Sequence, residues 1–265
     1  MSEKPLVRFD IEDGIGVITI DNPPVNALGP GVREGIIESV EKGNADPNVG
    51  AMVLIGAGRS FIAGADIRQF GKPRPQPTRR STDVLDESAK PVVAAIHGYA
   101  LGGGLEHALS CNYRIAVPSA KVGLPEVLIG VLPGGGGTQR LPRLIPLSLA
   151  YEHLLLGTPI DAATALRIGF VNHVCPRADL MDHALDLATR IARRGPVAIR
   201  YTMEAVRSGL MAPLEVGMRL ERAFASLVND SAEARAGMEQ FFGSGRRPVA
   251  QTAKRAASPR SRRRP

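Results

Sequence analysis

The sequence predicts an α/β fold in which short strands alternate with helices over roughly the first 145 residues. Runs of β-branched and small apolar residues recur there, separated by segments whose apolar residues recur at helical spacing. This alternation is typical of sheets built with crossover connections. From about residue 148 the pattern is almost entirely helical. We therefore expect a strand-containing core at 1–145, a helical region at 146–245 and a tail at 246–265.

The first elements predict a hairpin, a helix and a buried strand. Residues 6–11 and 16–20 are β-branched runs separated by an acidic pair and Gly14, which favours an antiparallel hairpin. Residues 30–43 place apolar side chains at every third or fourth position, as a helix with one buried face requires. The apolar run at 52–55 then predicts a buried strand.

The pattern continues with two further strands around a helix. Residues 91–96 and 113–117 are the strand-like runs, and between them the glycine triplet 102–104 opens an apolar helix that reaches Cys111. The later segments have helical periodicity throughout, and the helices predicted there are 148–156, 162–168, 180–194, 197–208 and 214–224.

Positive charge is concentrated at the C-terminal end. The 265 residues carry 33 Lys and Arg against 26 Asp and Glu, and eight of the basic residues but no acidic one follow Gly245. Residues 1–245 are therefore nearly neutral. A tail rich in Pro, Ser and Arg has too few apolar groups to offset its ordering entropy, so we expect disorder there. Binding of RNA or an anionic surface is an alternative for the tail, but nucleic acid is not a predicted partner.

The overall composition is that of a globular protein, with 44% apolar and 22% charged residues. Cys111 and Cys175 are too few for a disulfide framework and form no CxxC pair. The N-terminus lacks the apolar segment of a secretory signal, and no apolar run approaches the ~20 residues of a membrane span. We expect a reduced, cytoplasmic protein without a membrane partner.

Three segments place glycine beside a carboxylate after an apolar strand: 60–66, 98–106 and 123–138. A glycine triplet at a helix start exposes backbone N–H groups that favour an anion or a developing oxyanion. Glu106 follows in the first helical turn, either as a cap or as a carboxylate facing the same ligand. The glycines at 134–137 lack the GKS/T of a P-loop, and no GxGxxG follows the first strand.

Glu126 lies between Pro125 and an apolar run, an unusual place for a charge. Its carboxylate is either paired with a cation or has a raised pKa suited to proton transfer. Two carboxylates and an oxyanion-hole candidate suit reactions that move protons next to a thioester or ketone carbonyl. No histidine has metal-ligand spacing, so no metal is predicted.

In combination, these motifs resemble the enoyl-CoA hydratase/isomerase (crotonase) family, especially the hydratase region of multifunctional β-oxidation enzymes. The resemblance is carried by FIAGAD at 61–66, AAIHGYALGGGLEHALSCNYRIA at 94–116 and GLPEVLIGVLPGGGGTQR at 123–140. It implies a crotonase-like spiral of ββα units followed by a helical region used in trimer contacts, with trimers or hexamers as the assembly. It also implies reversible hydration of 2-trans-enoyl-CoA, with coenzyme A as part of the substrate and no separate cofactor.

The resemblance assigns roles to particular residues. Glu106 and Glu126 match the family's two catalytic glutamates, although the sequence leaves open which one handles water and which the proton at C2. Ala63 and Gly103 match the backbone N–H donors of the oxyanion hole. The remaining matches are assigned to substrate binding, and these are Ala65, Asp66, Ile67, Gly102 and Gly134.

The chain departs from the common family pattern at two places. His107 follows the glutamate where a small or apolar residue is more usual, and because helix neighbours point about 100° apart we interpret it as structural. The loop between Asp66 and Asp83 is short and proline-rich, which leaves acyl-chain preference open. Its basic residues either attract CoA phosphates or are solvated, and these are Arg68, Lys72, Arg74, Arg79 and Arg80.

Some alternatives stay open at this stage. Asp66 lies in a glycine-rich turn, where an aspartate usually caps backbone N–H groups. A Δ3,Δ2-enoyl-CoA isomerase that uses one glutamate is the nearest rival activity. A further alternative is a catalytically silent protein that acts only as an assembly partner, and the presence of both glutamates argues against it.

Overall fold

A computed structural model describes residues 4–69 and 79–243 of the protein. Most of the proline-rich loop and the basic tail at 246–265 lie outside the described residues. The chain divides into two compact units, 1–196 and 197–265. The change from strands to helices predicted near residue 146 therefore falls inside the first unit.

The first unit contains a six-stranded sheet and a three-stranded one. The large sheet has the order β1-β2-β3-β4-β6-β9, and the small sheet has the order β5-β7-β8. The strands are β1 (Val7–Glu12), β2 (Ile15–Ile20), β3 (Ala51–Gly56), β4 (Val92–Ile96), β5 (Tyr99–Leu101), β6 (Tyr113–Ala116), β7 (Lys121–Gly123), β8 (Ile160–Asp161) and β9 (His173–Val174). Only β1 pairs antiparallel in the large sheet, as the predicted hairpin with β2.

Helices follow most of these strands. Those of the first unit are α1 (Pro30–Ala45), α2 (Ser81–Asp86), α3 (Gly103–Ser110), α4 (Gly137–Leu144), α5 (Leu147–Leu156), α6 (Ala162–Arg167) and α7 (Leu180–Ala192). The second unit contains α8 (Pro196–Leu210), α9 (Leu214–Asn229) and α10 (Ala232–Gly243).

The core lies on the large sheet. Strand β4 is buried along its whole length, as its unbroken apolar run requires for a strand covered on both faces. Helix α1 buries Val32, Ile36 and Val40, the three-to-four spacing that the sequence predicted. Helix α7 contacts β3 and β4 and buries Leu180 and Ala184. That contact joins the end of the first unit to its sheet.

The α/β prediction is confirmed, and each predicted strand and helix has a counterpart within three residues at its start. The sequence pattern missed the short strands β5, β7, β8 and β9 and the helices α2, α4 and α10. Strands of two or three residues are too short to show an alternating pattern. Strand β9 pairs in parallel with β6, and just before β9 the Asn172 side chain accepts the Arg114 N–H at 2.9 Å.

Candidate active site

Two stretches of irregular backbone lie side by side after the parallel strands β3 and β4. The Ile62 N–H donates to the Tyr99 carbonyl at 3.0 Å, and the Leu101 N–H donates to the Ile62 carbonyl at 3.1 Å. Leu28 forms a further bridge with Ala65. These bonds hold the 62–66 segment alongside the glycine turn that begins α3.

The turn before α3 requires glycine at two positions. Gly102 has a φ of 53°, and a Cβ there would lie 2.8 Å from Oε1 of Glu126. A Cβ at Gly104 would collide with the carbonyl of Ile62. Helix α3 begins at Gly103, and the first N–H groups of a helix lack intrahelical acceptors. The turn therefore presents free N–H groups close to a carboxylate.

Glu106 is buried in the first turn of α3, with 4% of its surface exposed. Its Oε1 accepts two backbone hydrogen bonds, from the Gly135 N–H at 2.7 Å and the Gly137 N–H at 2.8 Å. A Cβ at Gly135 would lie 2.6 Å from Oε2 of the same carboxylate. The 134–137 loop therefore approaches Glu106 as closely as only glycine permits and fixes its orientation.

Arginine side chains hold the other side of the 134–137 loop. The Arg80 guanidinium donates to the Gly134 carbonyl at 2.5 Å, and Arg140 donates to the Gly135 carbonyl at 2.9 Å. Arg140 also forms an ion pair with Asp86 at 3.4 Å. Helix α2 with its N-cap Arg80 is thus connected to the loop that positions Glu106.

Glu126 stands on a 3-10 helix, Pro125–Ile129, and is partly buried. Its Oε2 is a buried atom without a hydrogen-bond partner among the described residues. Burial raises the pKa of Glu126 to about 7, and the negative charge of Glu106 adds to the effect. Of the two alternatives that the sequence left open, the structure favours the raised pKa.

An apolar pocket of about 260 Å³ opens beside Val127, the residue that follows Glu126. Its walls come from α4, α5 and the 127–133 segment, including Val127, Leu132, Pro133 and Leu154. Within the described residues, His, Cys, Asp and Glu form no group of three that could hold a metal ion. None of the helices in this part of the chain is long and apolar enough to cross a membrane.

Comparison with known proteins places this arrangement in a family. The family model for enoyl-CoA hydratase/isomerase matches residues 10–249. The chain belongs to the enoyl-CoA hydratase/isomerase family. This membership confirms the resemblance that the glycine and glutamate motifs predicted.

Relatives of this enoyl-CoA hydratase/isomerase family member include stand-alone and multifunctional proteins. A crotonyl-CoA hydratase of Syntrophomonas wolfei is 36% identical over 249 residues, which cover 89% of this chain and 94% of that protein. A peroxisomal bifunctional enzyme of Danio rerio is 42% identical over 200 residues, 75% of this chain. The matched region spans only 28% of that larger relative.

The fold of this family member matches solved structures. The structure of enoyl-CoA hydratase subunit I from Geobacillus kaustophilus superposes with a TM-score of 0.86 at 38% identity, covering 93% of this chain and 98% of that one. This likeness confirms the predicted crotonase-like α/β fold with a C-terminal helical region.

The backbone N–H of Ala63, one of the predicted oxyanion-hole donors, has a partner within the protein. The Ala63 N–H donates to the Val25 carbonyl at 3.1 Å, so it is engaged with a protein acceptor. The bridge between Leu28 and Ala65 uses the Gly64 carbonyl and the Asp66 N–H instead. The Ala65 N–H has no acceptor among the described residues.

Asp66, Ile67 and Gly134 were also predicted to bind substrate, and each lies in its own local environment. The Asp66 carboxylate accepts the Arg68 backbone N–H at 3.1 Å and two guanidinium bonds at 2.8 and 3.0 Å. These bonds lower the pKa of Asp66 to about 2, with the side-chain bond from Arg68 as the largest cause. This arrangement agrees with the interpretation of Asp66 as a turn residue. Ile67 begins a short 3-10 helix, and a Cβ at Gly134 would meet open space.

The basic residues of the proline-rich loop divide into three groups. Arg68 is paired with Asp66, whereas Arg79 pairs with Glu87 at 2.6 Å. Arg80 binds the Gly134 carbonyl. The other two basic residues, at positions 72 and 74, lie outside the described residues.

The sequence predicted that His107 is a structural residue, but it did not predict which groups the ring contacts. Its Nδ1 lies 2.6 Å from the Gly103 carbonyl oxygen and its Nε2 lies 2.8 Å from Oγ of Ser81. The spacing of four residues between Gly103 and His107 was the available signal, since residues at i and i+4 share a helix face. The partner from α2 could not be read from the sequence.

Proposed function

We propose that this chain is an enoyl-CoA hydratase, which reversibly adds water to a 2-trans-enoyl-CoA to give a 3-hydroxyacyl-CoA. The observation that carries the proposal is the convergence of both glutamates on one glycine turn. A Cβ at Gly102 would lie 2.8 Å from Glu126 Oε1, and one at Gly103 would lie 4.0 Å from Glu106 Oε2. The names of the hydratase relatives support the same reaction.

The thioester oxygen of the substrate would be held by two backbone N–H groups. We assign this role to Gly103, at the start of α3, and to Ala65, whose segment runs beside the turn. Negative charge develops on this oxygen as the enolate forms, so fixed donors lower the barrier. Loss of one such donor costs on the order of 3 kcal/mol in other enzymes.

The two glutamates divide the proton chemistry between them. Because the pKa of Glu126 is about 7, a substantial fraction of this carboxyl group is protonated near neutral pH. Glu126 is therefore assigned as the acid that delivers a proton to C2. Glu106, oriented by the Gly135 and Gly137 N–H groups, is assigned as the base that orients water and takes its proton for attack at C3.

The apolar pocket beside Val127 suits the hydrocarbon part of an acyl thioester. Coenzyme A enters as part of the substrate, and the assigned steps use only protein groups and water. Assembly into trimers or hexamers is part of the proposal. Large apolar side chains outside the pocket support it, since Leu128, Ile129 and Leu156 are each more than half exposed in the single chain.

The test follows the loss of ultraviolet absorbance of the conjugated enoyl thioester on addition of protein to a short 2-trans-enoyl-CoA. The parent protein should consume the substrate, and Glu106→Gln and Glu126→Gln should each lower kcat at least a hundredfold. Absence of turnover with both short and long 2-enoyl chains would refute the proposal. Conversion of a 3-enoyl-CoA to the 2-enoyl isomer without water addition would identify the isomerase instead.

A further inference from the structure

His107 lies between α2 and α3 with 3% of its surface exposed. Both ring nitrogens are engaged, Nδ1 with the Gly103 carbonyl at 2.6 Å and Nε2 with the Ser81 hydroxyl at 2.8 Å. Gly103 is the residue whose N–H is assigned to the oxyanion hole, and Ser81 is the first residue of α2. The ring therefore joins the candidate catalytic turn to a separate element.

The hydrogen bonds define the tautomer of this histidine. Burial lowers the pKa of His107 to about 4, so the ring is neutral and carries a single N–H near neutral pH. A carbonyl oxygen only accepts hydrogen bonds, so the proton must be on Nδ1, which donates to Gly103. Nε2 is then the acceptor, and the Ser81 hydroxyl donates to it. Both polar groups are satisfied only in this arrangement.

The contact between His107 and Ser81 is one of three sets of polar contacts that join α2, α3 and the 134–137 loop in a ring around the candidate site. Helix α3 is joined to the 134–137 loop by the two N–H bonds to Glu106. The loop is joined to α2 by the bonds of Arg80 and Arg140 to its carbonyls, and Arg140 also pairs with Asp86. The bond between His107 and Ser81 joins α2 back to α3. Shifting α2 away from α3 would disturb both contacts of the loop.

We propose that His107 is a positioning residue of the hydratase site, whose ring holds α2 against the first turn of α3. Through that contact it keeps the Gly103 N–H and the Glu106 carboxylate in a fixed relation to the 134–137 loop. The inference rests on the proposed hydratase function for its kinetic consequence, but its geometric part is independent of the reaction. The bond to Ser81 both satisfies the buried Nε2 and joins α3 to α2.

The geometric test uses protein labelled with 15N-histidine and 15N-glycine. The His107 resonances should report a neutral ring protonated at Nδ1. Ser81→Ala should shift the backbone amide resonances of Gly103, Gly135 and Gly137. The matched control is Ser88→Ala, because Ser88 is an equally buried hydroxyl just after α2 that binds Asn44 and Lys90 instead. It should leave the three amides unchanged.

The kinetic test compares Ser81→Ala, His107→Asn and the double variant in the enoyl-thioester assay. The asparagine amide can reach the Gly103 carbonyl but not Ser81, so both single variants cut the same bridge. Each should lower kcat about ten- to a hundredfold, because small displacements of catalytic groups have effects of that size. KM should change by less than about threefold, and the double variant should be no slower than the slower single variant.

The outcomes separate this inference from the proposed function. A ring protonated at Nε2, glycine amides that do not respond to Ser81→Ala, or a kcat of Ser81→Ala equal to that of Ser88→Ala would overturn the positioning role. Multiplicative kcat losses in the double variant would do the same. A parent protein that hydrates no enoyl-CoA would refute the proposed function, and the amide and tautomer measurements would then decide the role of His107.

Discussion

Replacing Glu126 with glutamine removes a carboxyl group that the folded protein holds in its protonated form up to about pH 7. An unfolded chain releases that proton near the ordinary pKa of 4.5. Below pH 4.5 the carboxyl is protonated in both states and does not affect the pH dependence. Between pH 4.5 and 7 only the unfolded state has lost the proton, so the parent loses stability as the pH rises.

The size of this effect follows from the two pKa values. Each pKa unit corresponds to 1.36 kcal/mol, so the difference between 4.5 and about 7 amounts to about 3 kcal/mol. Glu126 is only partly buried, and screening by water reduces the expected effect to about 2 kcal/mol. The Glu126→Gln variant, which cannot ionise, should therefore gain about 2 kcal/mol relative to the parent between pH 4.5 and 7.5.

Urea unfolding followed by circular dichroism, at several pH values across this range, measures the difference in free energy of unfolding. The quantity to compare is how the difference between variant and parent changes with pH. A constant cost of placing an amide in the site is the same at every pH and cancels from this comparison. The control is Glu152→Gln, whose carboxyl stands in solvent on α5. A difference for Glu126→Gln that stays level or falls as the pH rises would refute the reasoning about the buried carboxyl.

Three further predictions concern the pH dependence of the reaction, the turn at Gly102 and the buried side chain of Asn26. In pH–rate profiles, kcat/KM for hydration and for dehydration should both fall above about pH 7, because the singly protonated glutamate pair is lost there. The two directions should share one profile, since the reaction releases no proton and its equilibrium constant does not change with pH; a profile that stays level through pH 7 would contradict this. Gly102→Ala should lower kcat at least tenfold and the melting temperature by several degrees, because the added Cβ would lie close to Glu126 Oε1 and the residue has a positive φ. The absorbance assay measures kcat and calorimetry measures the melting temperature; a fully active variant would count against the site. Asn26→Ala should lower the free energy of unfolding by about 2–4 kcal/mol in urea titrations, because the Asn26 side chain donates to the Ala57 and Ser60 carbonyls at 2.9 and 2.7 Å. A loss below about 0.5 kcal/mol would show that these carbonyls find other donors.

The candidate site illustrates how far motifs alone can go. FIAGAD and GGGLE predicted which backbone segments hold the site, but they did not identify the donor N–H in the first motif. Ala63 and Ala65 are alike in sequence, and only the position of Val25 beside Ala63 shows that its N–H is engaged. Hydrogen-bond partners of this kind come from segments almost forty residues away along the chain.

His107 and Glu126 show the same limit for side chains. The sequence predicted that His107 would point away from Glu106, which is correct for helix neighbours, but not that it would bridge to Ser81, 26 residues earlier. It left Glu126 with two alternatives, an ion pair or a raised pKa. The choice depends on how much water reaches Oε2, and that is a property of the packed structure.

The sequence by itself determined the α/β class, the family and the positions of both candidate catalytic glutamates. These follow from periodicity and from residues close together in the chain, where the local backbone dictates the pattern. Tertiary structure alone decided which alanine N–H is free, the protonation of Glu126, the partners of His107 and the short strands β5, β7, β8 and β9. Each of these depends on burial or on a hydrogen bond between segments that meet only after the chain has folded.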